Sequence, residues 1–79
     1  MMVIDIRDYS QYLKGHLKGA ISIPFSLLYI SPNQYLEKDK TYHIYCDTGV
    51  RSSLLVRHLN LQGYHCVNLD GGYVKHLFK

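Results

Sequence analysis

The sequence predicts a small α/β domain built on a parallel sheet. Three observations predict it. Short β-branched apolar runs alternate with helix-like patterns. Glycine or proline punctuates the boundaries between them. The third apolar run passes directly through Cys46-Asp47-Thr48-Gly49-Val50-Arg51-Ser52 into a helical stripe. Strands and helices that alternate in this way are joined by right-handed crossovers.

Met2 to Ile6 reads as a buried first strand, ended by Arg7-Asp8. Asp8 or Ser10 is suited to cap a short helix carrying Tyr9, Tyr12 and Leu13 on one side, which Gly15 closes. Ala20 to Ile23 is a very short second strand, and Pro24 after it suits a sheet edge. Phe25 to Ile30 forms a helical turn. Ser31-Pro32 is a helix start that predicts a further helix to about Lys38. Glu37-Lys38-Asp39-Lys40 is a solvated turn, and Thr41 to Tyr45 is the third strand. In the next helix, Arg51 to Gln62, the residues Ser52, Leu55, Val56 and Leu59 fall at i, i+3, i+4 and i+7 and make an apolar stripe, and Gly63 stops it. His65 to Leu69 is the fourth strand, Asp70-Gly71-Gly72 a turn, and Tyr73 to Phe78 a last short helix.

The 79 residues support one domain, 1–79, without repeat or linker. An apolar content of 47% builds a core, and 19% charged residues are too few for a disordered chain. The net charge of +3 is spread over scattered basic residues, which argues against nucleic acid as a partner. No apolar run is long enough for a membrane span, and no apolar signal segment precedes Asp5, so a cytoplasmic protein without a membrane partner is expected. Cys46 ends one strand and Cys66 begins the next, which separates them by roughly 10 Å at ~3.3 Å per residue. That exceeds the about 7 Å between Cα atoms that a disulfide tolerates, so free thiols are expected. His16, His43, His58, His65 and His76 show no metal-ligand spacing, and Cys66 reads as core.

Cys46 carries the chemistry. It sits where a strand ends and a short loop enters a helix. A helix start offers unpaired N–H groups and the positive end of the macrodipole, and both stabilise a thiolate. Gly49 lets the backbone curl so that successive N–H groups point inward. Activation of this kind needs no partner base. Four residues separate Cys46 from Arg51. Cysteine phosphatases, dual-specificity cell-cycle phosphatases included, use five and enclose a tetrahedral phosphate; the shorter loop suits one sulfur atom, which also argues against arsenate reduction. Arg51 is placed either to hold an anionic donor or to pair with Asp5 and pin the loop to the first strand. Asp5 and Arg7 read as structural. His16, between Gly15 and Gly19, reads as a turn-stabilising hydrogen bonder rather than a general base, and Thr48 and Ser52 as supports of the loop.

Three landmarks occur in order: Ile4-Asp5-Ile6-Arg7; Gly15-His16-Leu17-Lys18-Gly19-Ala20 leading to Ile23-Pro24; and Cys46 to Ser52, followed by Gly63-Tyr64 and Leu69-Asp70-Gly71-Gly72. Together they span nearly the whole chain, and the ordered set resembles the rhodanese family of sulfurtransferase domains. The resemblance implies a three-layer fold with sheet order 4-3-1-2 and helices on both faces. It implies a Cys46 persulfide cradled by the N–H groups of Asp47, Thr48, Gly49, Val50, Arg51 and Ser52, with Asp5, Arg7 and His16 in support. Cys46 then lies at the switch point between strands 3 and 1, where α/β sheets bind ligands. No cofactor or metal is implied. The partners implied are a sulfur donor such as thiosulfate, polysulfide or a persulfide, and a thiol or cyanide acceptor, with a protein acceptor as a further possibility.

Two departures stand out. The family usually has a strand and helix before the Ile4-Asp5 strand, so one sheet edge is expected to be bare or covered by a partner chain. Asp47 also stands where several members have a basic residue, which disfavours a doubly charged donor and opposes a low thiol pKa. Sulfur transfer by a single-domain enzyme is the leading expectation. A sulfur-carrier or regulatory module acting with a protein partner is the alternative. A non-catalytic interaction domain is the third, and the intact loop argues against it, since inactive relatives tend to lose the cysteine.

Overall fold

The computed structural model describes residues 2–76. Strands β1 (Met2–Asp5), β2 (Ala20–Ser22), β3 (Thr41–Tyr45) and β4 (His65–Asn68) alternate with helices α1 (Tyr9–Lys14), α2 (Phe25–Ile30), α3 (Val50–Leu61) and α4 (Gly72–His76). All pairings are parallel, in the order β2-β1-β3-β4, which is the expected 4-3-1-2 order read from the other edge. Ile4 lies opposite Ile44, and Tyr42 opposite Cys66.

Alternation along the strands divides the sheet into two unlike faces. Ile4, Tyr42, Ile44 and Cys66 point to one side and pack with Leu28, Leu36, Leu55, Val56 and Leu59. This is the apolar core beneath α2 and α3, and the stripe expected on α3 is buried in it. Asp5 and Tyr45 point to the other side, where α4 places Tyr73 in a stack on Tyr45, with ring centroids 6.4 Å apart. Helix α1 reaches the sheet through polar contacts. Tyr9 and Leu13 are 58% and 63% exposed, so the apolar side expected for α1 is not buried. Tyr12 anchors the helix instead, donating its hydroxyl hydrogen to the Ala20 carbonyl at 2.8 Å. Asp8 is the N-cap residue, but no side chain caps this helix.

The helix expected from Ser31-Pro32 to about Lys38 is a single 3-10 turn, Pro32–Gln34. The reason lies in the core. Leu36 is drawn into it, and the Glu37 amide, which would otherwise extend the helix, donates to the Tyr42 hydroxyl at 2.8 Å. The last helix ends at His76 among the described residues; Leu77 and Phe78, to which the sequence extends it, lie outside them.

Both cysteines are free and buried. Cys66 lies beside Tyr42, at the far end of β3 from Cys46, and burial pushes its thiol up to about 11. No helix among the described residues is long and apolar enough to cross a membrane.

The outer edge of β4 pairs with no strand among the described residues. The Asn60 side chain occupies part of it. Its Oδ1 accepts from the Cys66 amide at 2.8 Å and its Nδ2 donates to the Cys66 carbonyl at 3.0 Å, as a neighbouring strand would. Asn60→Ala removes both bonds and bares a strand edge. The substitution is expected to destabilise the fold by about 1–2 kcal/mol in urea titrations, and light scattering is expected to show self-association that rises with concentration.

Candidate active site

Strand β3 delivers Cys46 to the carboxyl end of the sheet, and α3 begins four residues later at Val50. Between them Gly49 adopts φ +91°, a left-handed conformation that side chains disfavour. This curl turns the loop amides inward. The Gly49 N–H lies 3.2 Å and the Ser52 N–H 3.4 Å from Cys46 Sγ, and the thiol donates to Ser52 Oγ at 3.4 Å. Cys46 is only 3% exposed, so its sulfur sits at the base of the loop. Burial works to raise this thiol. The hydrogen bonds that a thiolate at this position gains, from the Ser52 hydroxyl once it turns to the sulfur and from the amides of Ser52, Gly49 and Thr48, outweigh burial and hold the thiol below the usual cysteine value.

Amides can face the sulfur only if the loop carbonyls face away, and α4 arranges this. The Tyr73 amide donates to the Cys46 carbonyl at 2.8 Å and the Val74 amide to the Asp47 carbonyl at 3.0 Å. Gly72 makes that approach possible. A Cβ there would lie 2.5 Å from the Cys46 carbonyl oxygen, at a φ of +62°.

The remaining expected residues fall into two groups. Arg7 is buried and donates to both Asp5 carboxylate oxygens, to the Gly15 carbonyl at 2.6 Å and to Asp47 Oδ1 at 3.4 Å. Its guanidinium lies 4.1 Å from the Tyr73 ring centroid, and its pKa is raised further, chiefly by the bonds to Asp5. Asp5 therefore pairs with Arg7, which excludes the Arg51–Asp5 pair weighed from sequence. The Arg51 side chain is exposed, with its guanidinium 5.2 Å from the Phe25 ring centroid. Val50 and Leu54 are 65% and 63% exposed beside the loop, and Thr48 is exposed. His16 stacks on Tyr12 at 3.8 Å, and its Nδ1 lies 2.9 Å from the Tyr12 carbonyl, remote from the sulfur cradle. Asp47 turns its carboxylate toward Arg7 and toward Gln11, whose amide donates at 3.2 Å, so its charge is partly balanced.

Sequence reading missed Asn68 and Gln11. Asn68 shares strand parity with buried Cys66, and a polar residue on that face at a strand end was the available signal. Gln11 carried none, since it lies on an exposed helix. Among the described residues, no group of three or more His, Cys, Asp or Glu side chains is arranged to hold a metal.

A parallel sheet that delivers a cysteine into inward-facing amides at a helix start defines a cysteine-loop α/β domain. The family model described as Rhodanese-like domain matches residues 1–77, and the chain belongs to that family. It is 35% identical over 74 residues to Uncharacterized protein YqhL of Bacillus subtilis, covering 92% of this chain and 58% of that protein. It is 35% identical to a tRNA sulfurtransferase of Desulfurococcus amylolyticus, covering 95% of this chain and 14% of that protein. With Putative sulfurtransferase YtwF of Bacillus subtilis the identity is 31%, over 91% of this chain and 69% of that protein. The chain thus spans little more than half of one of these relatives and a small part of another. Among solved structures, a rhodanese-related protein from Thermoplasma volcanium superposes with TM-score 0.88 at 31% identity, covering 98% of this chain and 76% of that one. The Rhodanese_3 like domain of an Anabaena protein gives 0.87 at 29% identity, covering 99% and 91%. Two of these relatives carry the name sulfurtransferase.

Gly72→Ala is expected to cost about 1–3 kcal/mol of stability through strain at positive φ and to push α4 off the loop. Thermal unfolding and the alkylation rate of Cys46 at neutral pH check this, with both expected to fall.

Proposed function

We propose that this domain moves a sulfane sulfur through a persulfide on Cys46. The observation that carries the reading is the convergence of the Gly49 and Ser52 amides on a single Sγ atom. In the first step the thiolate attacks the outer sulfur of a donor. The new Sγ–S bond forms as the donor's S–S bond breaks, and its electron pair leaves with the rest of the donor, a thiolate from a persulfide or sulfite from thiosulfate. In the second step a thiolate or cyanide attacks the outer sulfur of the persulfide. The Sγ–S bond breaks and the Cys46 thiolate returns, so no external oxidant or reductant is needed. The loop amides of Asp47 to Ser52 hold the transferred sulfur, and Arg51, at the rim, meets the anionic part of the donor. Asp5 and Arg7 hold the loop's foundation, and His16 the end of α1. A cytoplasmic setting, with reduced thiols as acceptors, fits two free cysteines.

The test uses intact-mass measurement after incubation with polysulfide or thiosulfate. One added sulfur atom is expected in the wild type and none in Cys46→Ser. Cyanide is then expected to remove that sulfur as thiocyanate. Absence of a persulfide with every donor overturns the reading. A persulfide that forms but does not turn over supports the second reading, a sulfur carrier serving a protein partner. A Bacillus subtilis relative named Putative sulfur carrier protein YrkF, 32% identical over 78% of this chain and 33% of its own length, favours that possibility.

Asp47 sets the donor class. A carboxylate on the loop disfavours a doubly charged donor even with Arg7 and Gln11 beside it. Persulfides and polysulfides are accordingly the expected donors. Asp47→Lys is expected to raise thiosulfate turnover several-fold in steady-state cyanide assays, and equal turnover by the two proteins would remove the basis for this assignment.

A further inference from the structure

Asn68 stands at the end of β4 and presents its carboxamide to the cysteine loop. Its Nδ2 donates to the Gly49 carbonyl at 3.2 Å and to Asp70 Oδ1 at 3.0 Å. A carbonyl is an acceptor only, and so is a carboxylate. Those two neighbours therefore orient the amide, with its nitrogen toward Gly49 and Asp70 and its oxygen toward Ser52. Ser52 Oγ lies 2.5 Å from Asn68 Oδ1, and the hydroxyl must be the donor in that contact. A hydroxyl has one hydrogen to give. While it points at Asn68, Ser52 can only accept from Cys46, as the 3.4 Å contact from the thiol shows. Ser52 is fully buried, so no solvent is at hand to replace either partner.

A hydrogen bond donated by the thiol favours the protonated form, whereas one donated to sulfur favours the thiolate. The same hydroxyl can do either, and its second partner decides which. We propose that Asn68 is a positioning residue for sulfur transfer: it competes with Cys46 for the Ser52 hydrogen and so sets how readily the thiolate forms. With the hydroxyl on Asn68, the sulfur is held as a thiol. As the proton leaves Sγ, the hydroxyl swings to the sulfur and joins the Gly49 and Ser52 amides, leaving the Asn68 oxygen unpaired. Once Sγ is bonded to a second sulfur it carries no formal charge, and the hydrogen returns to Asn68. The device thus rewards the thiol and the persulfide and taxes the free thiolate between them.

Asp47, on the loop, is bonded to Arg7 and Gln11, and Arg7 to Asp5 on β1. Arg51 on α3 lies over Phe25. Asp70 touches Asn68 directly, and the His76 ring of α4 lies 3.2 Å from the Asp70 carbonyl. On α4, Tyr73 stacks on Tyr45, and the Lys75 side chain lies against Gly71. None of these side chains bonds Cys46 Sγ or Ser52 Oγ among the described residues.

The inference rests on Cys46 acting as a thiolate nucleophile, but its test reads ionisation without any sulfur donor. Iodoacetamide alkylation of Cys46 is followed by peptide mass mapping over about pH 5 to 9, which keeps buried Cys66 separate. Asn68→Ala is expected to shift the pH–rate profile to lower pH and to speed alkylation at neutral pH about three- to tenfold, the worth of one hydrogen bond. Ser52→Ala is expected to slow it. Adding Asn68→Ala to Ser52→Ala is expected to change nothing further, because the competition has lost its object. An unchanged profile in Asn68→Ala, or an equal shift with and without Ser52, overturns the proposal. Should Asn68→Ala not fold, the side-chain amide resonances of Asn68 in the wild type are expected to titrate together with Cys46, and their indifference to that titration overturns it as well. A domain that shows this coupling yet forms no persulfide would refute the sulfur-transfer reading alone.

Discussion

The buried guanidinium of Arg7 is the constraint on which the rest of the molecule depends. It holds Asp5 at the end of β1, the Gly15 carbonyl at the end of α1, Asp47 in the cysteine loop and the Tyr73 ring on α4. Asp5 in turn accepts the Tyr45 hydroxyl at 2.7 Å, and that hydroxyl accepts the Leu17 amide at 3.0 Å. Burial, ahead of all else, and the Asp5 carboxylate push the Tyr45 hydroxyl well above its ordinary value, so it remains a donor. Breaking a buried ion pair from one side leaves an unpaired charge, at about 3–5 kcal/mol. A cluster of this kind contributes less through net stability than through specifying a single arrangement. It joins, in one place, the four segments that must meet for the loop to hold its shape.

The second constraint is the division of labour around the loop backbone. Each peptide unit carries both an N–H and a carbonyl, and the two point in roughly opposite directions. A ring of inward amides therefore implies outward carbonyls that need their own donors. Helix α4 supplies them at Cys46 and Asp47 through two main-chain bonds. Gly49 and Gly72 are the positions where the chain must adopt positive φ for this to close. The sulfur cradle is thus a property of two helix starts acting on one loop from opposite sides.

The sheet also shows how a domain of this size manages its borders. One face is an apolar core under α2 and α3, and the other holds the polar cluster under α4. The β4 edge is partly covered by a side-chain amide from α3, so a single residue takes on part of what a fifth strand would do. Asn68 shows the same economy on a smaller scale. One carboxamide braces the Gly49 carbonyl and engages the Ser52 hydroxyl, which couples the loop's shape to the state of its thiol.

The strands, the α3 stripe and the Cys46 loop were legible because each leaves a local mark: a run, a period, or a cysteine followed by glycine and a helix; the strand order followed only from the family resemblance. The extent of the 3-10 turn was not legible, because a Tyr42 hydroxyl from the next strand takes the amide that would have continued it. The partner of Asp5 was not settled either. Arg51 was the partner weighed for it, and only burial of the Arg7 side chain beside Gly15 and Tyr73 puts Arg7 on Asp5 instead. By itself, then, the sequence determined the family, the parallel sheet and the cysteine that the loop amides surround, since these rest on patterns along the chain. Tertiary structure alone decided where the loop carbonyls go, which arginine is buried, and that Asn68 faces Ser52. Those are matters of which donor meets which acceptor across elements far apart in sequence, and hydrogen-bond direction has no periodic signature.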